Sequence, residues 1–175
     1  MSHLAPPVGH TDHVQGAQDA PVTLIEYGDF ECPYCGAMYP VIKSVQQAMG
    51  DRLRFVFRQF PLTSMHPHAL HAAELSEAAA TIGRFWEAHD VLYENQNRLS
   101  DRELTIYASH IGVRPSELAT AFEGAYDERI QGDLDGGLRS GVNGTPTLFV
   151  NGRRYDGDHD VESLLEALNA VAAGY

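Results

Sequence analysis

The 175-residue chain contains two cysteines, Cys32 and Cys35, three positions apart in the stretch Asp29-Phe30-Glu31-Cys32-Pro33-Tyr34-Cys35. A pair at this spacing can supply half of a zinc site, close a structural staple, or cycle between dithiol and disulfide. A zinc site normally takes four ligands, and there is no second cysteine pair. His66, His68 and His71 could complete a set. Beside a helix start, however, that run reads more simply as a surface or capping cluster, so no metal is expected. A staple across so short a loop removes little chain entropy. Redox cycling is the use that explains the placement of the pair as well as its spacing.

That placement follows from the flanking elements. Pro21-Val22-Thr23-Leu24-Ile25-Glu26-Tyr27 is a β-branched and aromatic run suited to a buried strand. Met38, Val41, Ile42, Val45 and Met49 then recur at helical spacing until Gly50. The cysteines lie where strand gives way to helix. A cysteine at a helix N-terminus has its thiolate favoured by the positive end of the dipole and by unpaired backbone N–H groups. The first cysteine is expected to be the exposed nucleophile. The second, about one turn along, can resolve a mixed disulfide, and Pro33 pre-sets the first helical turn. Asp29 and Glu31 flank the nucleophile and their charge opposes its thiolate, unless both point to solvent and are screened.

Beyond the first helix, Leu53 to Arg58 alternates with the period of a strand. From about residue 66 to 140 the pattern is wholly helical. Phe85, Trp86, His89, Leu92 and Tyr93 share a face, Ser100-x-x-Glu103 is a capping box and Gly112 a stop. Pro115 suits a first helical position, and Ile130, Leu134 and Leu138 follow at intervals of four. Thr147 to Val150 is a strand, Asn151-Gly152 a two-residue hairpin turn, and Val161, Leu164, Leu165, Leu168 and Val171 mark a last amphipathic helix. The order is βαβ, a helical insertion, then ββα. This predicts an α/β fold with a central mixed sheet: a single domain over residues 20–175, preceded by a flexible arm over residues 1–19.

The formal net charge of −12 argues against nucleic acid or an anionic membrane as partner. No apolar run approaches the ~20 residues of a membrane span. Met1 to Val8 lacks the basic and apolar regions of a signal peptide. A cytoplasmic protein is therefore expected, or an extracytoplasmic one if a leader has been removed.

Two motifs more than a hundred residues apart now point to a family. Cys32-Pro33-Tyr34-Cys35 after a strand, with Gly144-Thr145-Pro146-Thr147 before a late strand and hairpin, resembles the thioredoxin-fold thiol–disulfide oxidoreductases. The helical block between the halves resembles the DsbA-like branch, and the resemblance spans roughly residues 20–173. It implies that Cys32 attacks and Cys35 resolves. It implies that Pro146 is a cis-proline facing the pair, so that Gly144 and Thr145, with Pro33 and Tyr34, meet a client's extended chain. It implies that Glu26, six residues before Cys32, is a buried acid relaying a proton to or from Cys35, rather than an edge-facing glutamate in solvent.

The implied activity is that of a disulfide oxidase, reductase or isomerase on protein or small-thiol substrates. It needs no bound cofactor, but does need a redox partner such as glutathione or a thioredoxin-like reductase. The Pro-Tyr dipeptide resembles that of glutaredoxins, whereas strongly oxidising members carry Pro-His, which puts a strong oxidant in doubt. Two rivals share the fold: a kappa-like glutathione-dependent transferase or isomerase, and a non-catalytic protein-binding or chaperone module. Trp86, Tyr93, Phe122 and Tyr126 are expected in the core of the helical layer, or else along a client groove.

Overall fold

The computed structural model describes residues 3–174 and divides the chain into two compact units, where the sequence predicts one domain. The first gathers the chain up to Gly28, Ala37–Arg58 and the chain from Asp135 onward; the second holds Asp29–Gly36 and Gln59–Leu134.

The first unit is built on a five-stranded mixed sheet in the order β1-β3-β2-β4-β5. Its strands are β1 (His13–Gly16), β2 (Val22–Gly28), β3 (Leu53–Gln59), β4 (Thr147–Val150) and β5 (Arg153–Tyr155). β2 is buried along its whole length, as befits a central strand whose apolar run is interrupted only by Thr23 and Glu26. Helix α1 (Pro33–Met49) links β2 to β3. β4 runs antiparallel to β2, with Glu26 opposite Leu148 and Tyr27 opposite Thr147. Asn151 and Gly152 both take positive φ, 45° and 79°, so β4 turns directly into β5. Asn151 Oδ1 also accepts from the backbone N–H of Thr23 at 2.7 Å, fixing the end of the β2–β4 ladder. Helix α7 (Val161–Ala172) is capped by Asp160, which accepts from Ser163 N at 2.9 Å, and buries Leu164 and Leu168.

The predicted flexible arm is corrected here. Its described part is ordered and carries β1, which pairs antiparallel with β3 from His13↔Phe57 to Gly16↔Arg54. The anchor is Arg58, only 3% exposed. Its guanidinium donates to both Asp12 oxygens (2.8 and 3.0 Å), to the carbonyls of Pro6 and Pro7, and to the Tyr27 hydroxyl. A buried guanidinium is tolerable only with its donors satisfied, and the segment before β1 supplies most of the acceptors.

The second unit contains α2 (Ala69–Ala80), α3 (Phe85–Glu94), α4 (Asp101–Ile111), α5 (Pro115–Thr120), a π-helical turn (Ala121–Ala125) and the first part of α6 (Asp127–Arg139). α2 is buried on nearly every face, and its alanines let α3, α4, α5 and the π-helical turn approach closely. The predicted capping box is present, with Ser100 N donating to Glu103 Oε2 at 3.2 Å, and Gly112 ends α4 with φ 100°. Along α6 the expected apolar face drifts. Ile130 is buried, Leu134 half-buried and Leu138 62% exposed. Steps of four residues turn about 40° past a full circle each time, so three in a row leave the core.

Candidate active site

The cysteines open α1. Cys32 directly precedes the helix, and its carbonyl accepts the first helical bond from Gly36 N at 3.0 Å. Its own N–H donates to Asp29 O at 3.1 Å, so the chain turns tightly between strand and helix. Pro33 takes the first helical position, where its missing N–H costs nothing. The expectation of an exposed Cys32 is corrected: it is 3% exposed and Cys35 0%, while Tyr34 projects at 75%. The tight turn draws Cys32 inward and turns the Pro33-Tyr34 pair to solvent.

Asp29 and Glu31 do not float in solvent. Asp29, 1% exposed, accepts from Glu31 N at 2.8 Å through Oδ1, and from Leu62 N at 2.9 Å through Oδ2. The same Oδ2 lies 2.7 Å from His66 Nδ1, so that ring nitrogen carries the proton. Glu31 Oε2 accepts from His68 N at 2.6 Å, at the residue that precedes α2. Two acids before the cysteines thereby hold the 62–68 segment. Burial pulls His66 downward, but the hydrogen bond and charge of Asp29, with the charges of Cys32 and Glu31 behind it, outweigh that and raise its pKa above 6.5.

Gln96 grips the motif from the segment after α3. Its Nε2 donates to Cys32 O at 2.6 Å and to Phe30 O at 3.0 Å. Phe30, 1% exposed, rests on Tyr93 and His89 with ring centroids at 5.1 and 5.9 Å. Of the predicted core aromatics, Tyr93 is buried, whereas Trp86, Phe122 and Tyr126 are half-buried. Phe122 stacks on His71 at 4.1 Å, and His71 Nδ1 pairs with Asp101 at 2.6 Å. The three clustered histidines thus have separate partners.

The remaining expected site residues belong to the first unit. Glu26 is 2% exposed in the middle of β2, so it is not an edge-facing glutamate. Gly144, Thr145 and Pro146 are half-buried just before β4; the Thr145–Pro146 peptide is cis, and Thr147 Oγ1 donates to Gly144 O at 2.7 Å.

Two residues at the cysteine motif escape a sequence reading. Gln96 lies more than sixty positions from the carbonyls it binds, with no local signal. His66 lies 37 positions from Asp29 and reads locally as part of a capping cluster.

Comparison with known proteins agrees on the fold. The sequence matches the family described as Thioredoxin over residues 9–170. The oxidised form of BdbD from Bacillus subtilis superposes with a TM-score of 0.86 at 23% identity, covering 99% of this chain and 98% of that one. DsbA2 from Pseudomonas aeruginosa gives 0.73 at 26% identity, covering 96% and 98%. A curated relative, the Na(+)/H(+) antiporter NhaA 1 of Salinispora arenicola, is 45% identical over 166 residues. That match takes in 93% of this chain but 25% of the antiporter, so the chain spans about a quarter of that relative's length.

Proposed function

We propose that this chain, which belongs to the thioredoxin family, is a thiol–disulfide oxidoreductase of the DsbA-like branch. The observation that carries the reading is the Cys32-Pro33-Tyr34-Cys35 sequence at the N-terminus of α1, within a chain matched to that family almost end to end. The helix end favours negative charge on the first sulfur, and the second is one turn further on.

In the oxidising direction, a client thiolate attacks Cys32 Sγ of the Cys32–Cys35 disulfide. A bond forms between the client sulfur and Cys32, the Cys32–Cys35 bond breaks, and Cys35 leaves as a thiolate that takes up a proton. A second client thiolate, formed by losing its proton, attacks the client sulfur of the mixed disulfide and expels Cys32 as a thiolate. Two electrons pass from client to enzyme: the client becomes a disulfide and the enzyme a dithiol. Reduction is the same sequence reversed, begun by the Cys32 thiolate on a client disulfide and completed by Cys35. Partners are therefore thiol- or disulfide-bearing proteins and a second redox couple that resets the pair. Glu26 and Pro146 keep, as proposals, the proton-relay and client-contact roles implied by the resemblance.

The antiporter names belong to longer proteins, and among the described residues no helix is long and apolar enough to cross a membrane.

Insulin reduction and glutathione conjugation, measured side by side, test the assignment. Turnover of insulin disulfides that disappears in Cys32→Ser supports it. Conjugation without disulfide exchange would mean a glutathione transferase, and neither activity a binding module.

A further inference from the structure

We propose that His66, held by Asp29, is a positioning residue for Cys32: its protonation cancels the charge of Asp29, three residues before the cysteine, and so favours the Cys32 thiolate near neutral pH. The inference rests on the oxidoreductase reading for its biological meaning, but only on the geometry around Cys32 for its physics.

Asp29 is three residues from Cys32, tied to it by the Cys32 N–H to Asp29 O bond of 3.1 Å. Alone, its buried carboxylate would oppose a second negative charge on the sulfur. No Lys or Arg occurs between Pro21 and Ile42 to offset it. In the second unit, Arg84, Arg98, Arg114 and Arg129 each pair with a carboxylate of their own, respectively Glu87, Glu103, Glu117 and Asp133, and Arg102 is exposed on α4. The cation that does reach Asp29 is the His66 ring at 2.7 Å, its side chain 14% exposed and so little screened.

The ring is also held in place. Leu62 N on Asp29 and His68 N on Glu31 tie down the chain on both sides of it. The groups whose charges act on His66 are Asp29, Cys32 and Glu31 from the β2–α1 junction. On its own side His68 precedes α2, and from α3 His89 and Tyr93 pack on Phe30. With His66 protonated, the Asp29–His66 pair is neutral overall. As pH rises through the His66 titration, the Asp29 charge is left uncancelled and opposes the thiolate of Cys32. The two titrations are coupled and must be seen from both ends.

Two measurements on the full chain test this. The first is the iodoacetamide alkylation rate of Cys32 from pH 5 to 9, read by peptide mapping, in the reduced wild type, His66→Gln and His66→Lys. His66→Gln should slow alkylation about 3- to 10-fold near pH 6 and converge on wild type by about pH 9. His66→Lys should keep the fast rate at pH 6. In an equilibrium with glutathione, His66→Gln should favour the disulfide form by a similar factor. The second needs no variant of His66: its ring titration by NMR should have a lower midpoint in Cys32→Ser than in the reduced wild type, because the thiolate is gone. Superimposable alkylation profiles in folded variants, or equal NMR midpoints, would overturn the proposal. Should the wild type fail to exchange with oxidised glutathione, the oxidoreductase reading falls. The alkylation and NMR results still decide the coupling, since they require only the sulfur.

Discussion

The side-chain amide of Gln96 occupies the space in which a side chain at Gly36 would stand. A Cβ on Gly36 would lie 2.7 Å from Gln96 Cδ and 2.9 Å from its Nε2, well inside contact distance. The amide is not free to move aside, because the same Nε2 donates to the carbonyls of Phe30 and Cys32. Gly36 is therefore the absence of a side chain that lets Gln96 clasp the turn carrying Cys32.

Gly36→Ala should displace Gln96, and Gln96→Ala should remove the clasp directly. Each is expected to cost about 1–3 kcal/mol by urea denaturation and to slow disulfide exchange. Since both act on one contact, the double variant should cost much less than the two singles added. Additive losses would show that Gly36 and Gln96 act separately.

The two sulfurs should differ in kinetics. With Cys32 3% and Cys35 0% exposed, accessibility separates them little, so the difference must come from thiolate character at the helix end. Near neutral pH, alkylation of the reduced chain should label Cys32 about ten times faster or more, because the helix end lowers its thiol pKa. Cys35→Ser should accumulate mixed disulfides with clients, while Cys32→Ser should trap few. Equal labelling without trapped species would remove the nucleophile assignment.

The elements around the cysteines were legible because each is marked by short-range chemistry. The β-branched run of β2, the Pro33 start of α1, the Ser100–Glu103 box and the Asn151-Gly152 turn are all written within a few residues. β1 was not, because four residues with no strong period pair only when β3 offers an edge and Arg58 gathers the preceding carbonyls. The surroundings of Cys32 were illegible for the same reason. Asp29 reads locally as a repulsive charge, and the histidine that reverses that meaning is 37 residues downstream. Long-range pairing leaves no periodic trace in sequence.

Stability should fall as pH rises, from two groups. His66 has its folded pKa raised above 6.5, so its pairing with Asp29 contributes fully below 6.5 and is lost as pH climbs through the folded value. Glu74, 1% exposed, is pushed up to about 8 by burial and then by the hydrogen bond and charge of Asp127 and the charge of Asp101. The unfolded chain ionises this acid from about 4.5 upward, so the cost of keeping it protonated grows with pH until about 8. Glu74→Gln keeps a donor for Asp127 without that cost. It should stabilise the chain at pH 8 by on the order of 1–3 kcal/mol and change little at pH 4. Thermal melts across that range check it; an equal effect at both pH values would mean the carboxyl is ionised in place.

Redox poise is set by a competition at the start of α1. The helix end and protonated His66 favour the Cys32 thiolate, hence the reduced form and a stronger oxidant. Against them stand the charges of Asp29 and Glu31, and Tyr34, 75% exposed, brings no cation of its own. The His66 cation is largely spent on neutralising Asp29 at 2.7 Å, so it removes a penalty more than it adds an attraction. The reduction potential is therefore expected clearly below the ~−120 mV of the strongest oxidants of this type. Replacing Tyr34 by His adds a cation at the exposed start of α1. Tyr34→His should raise the potential by roughly 30 mV, a tenfold change in the glutathione equilibrium. A wild-type value near −120 mV, left unmoved by Tyr34→His, would mean that the helix end outweighs both acids without help from a neighbouring cation.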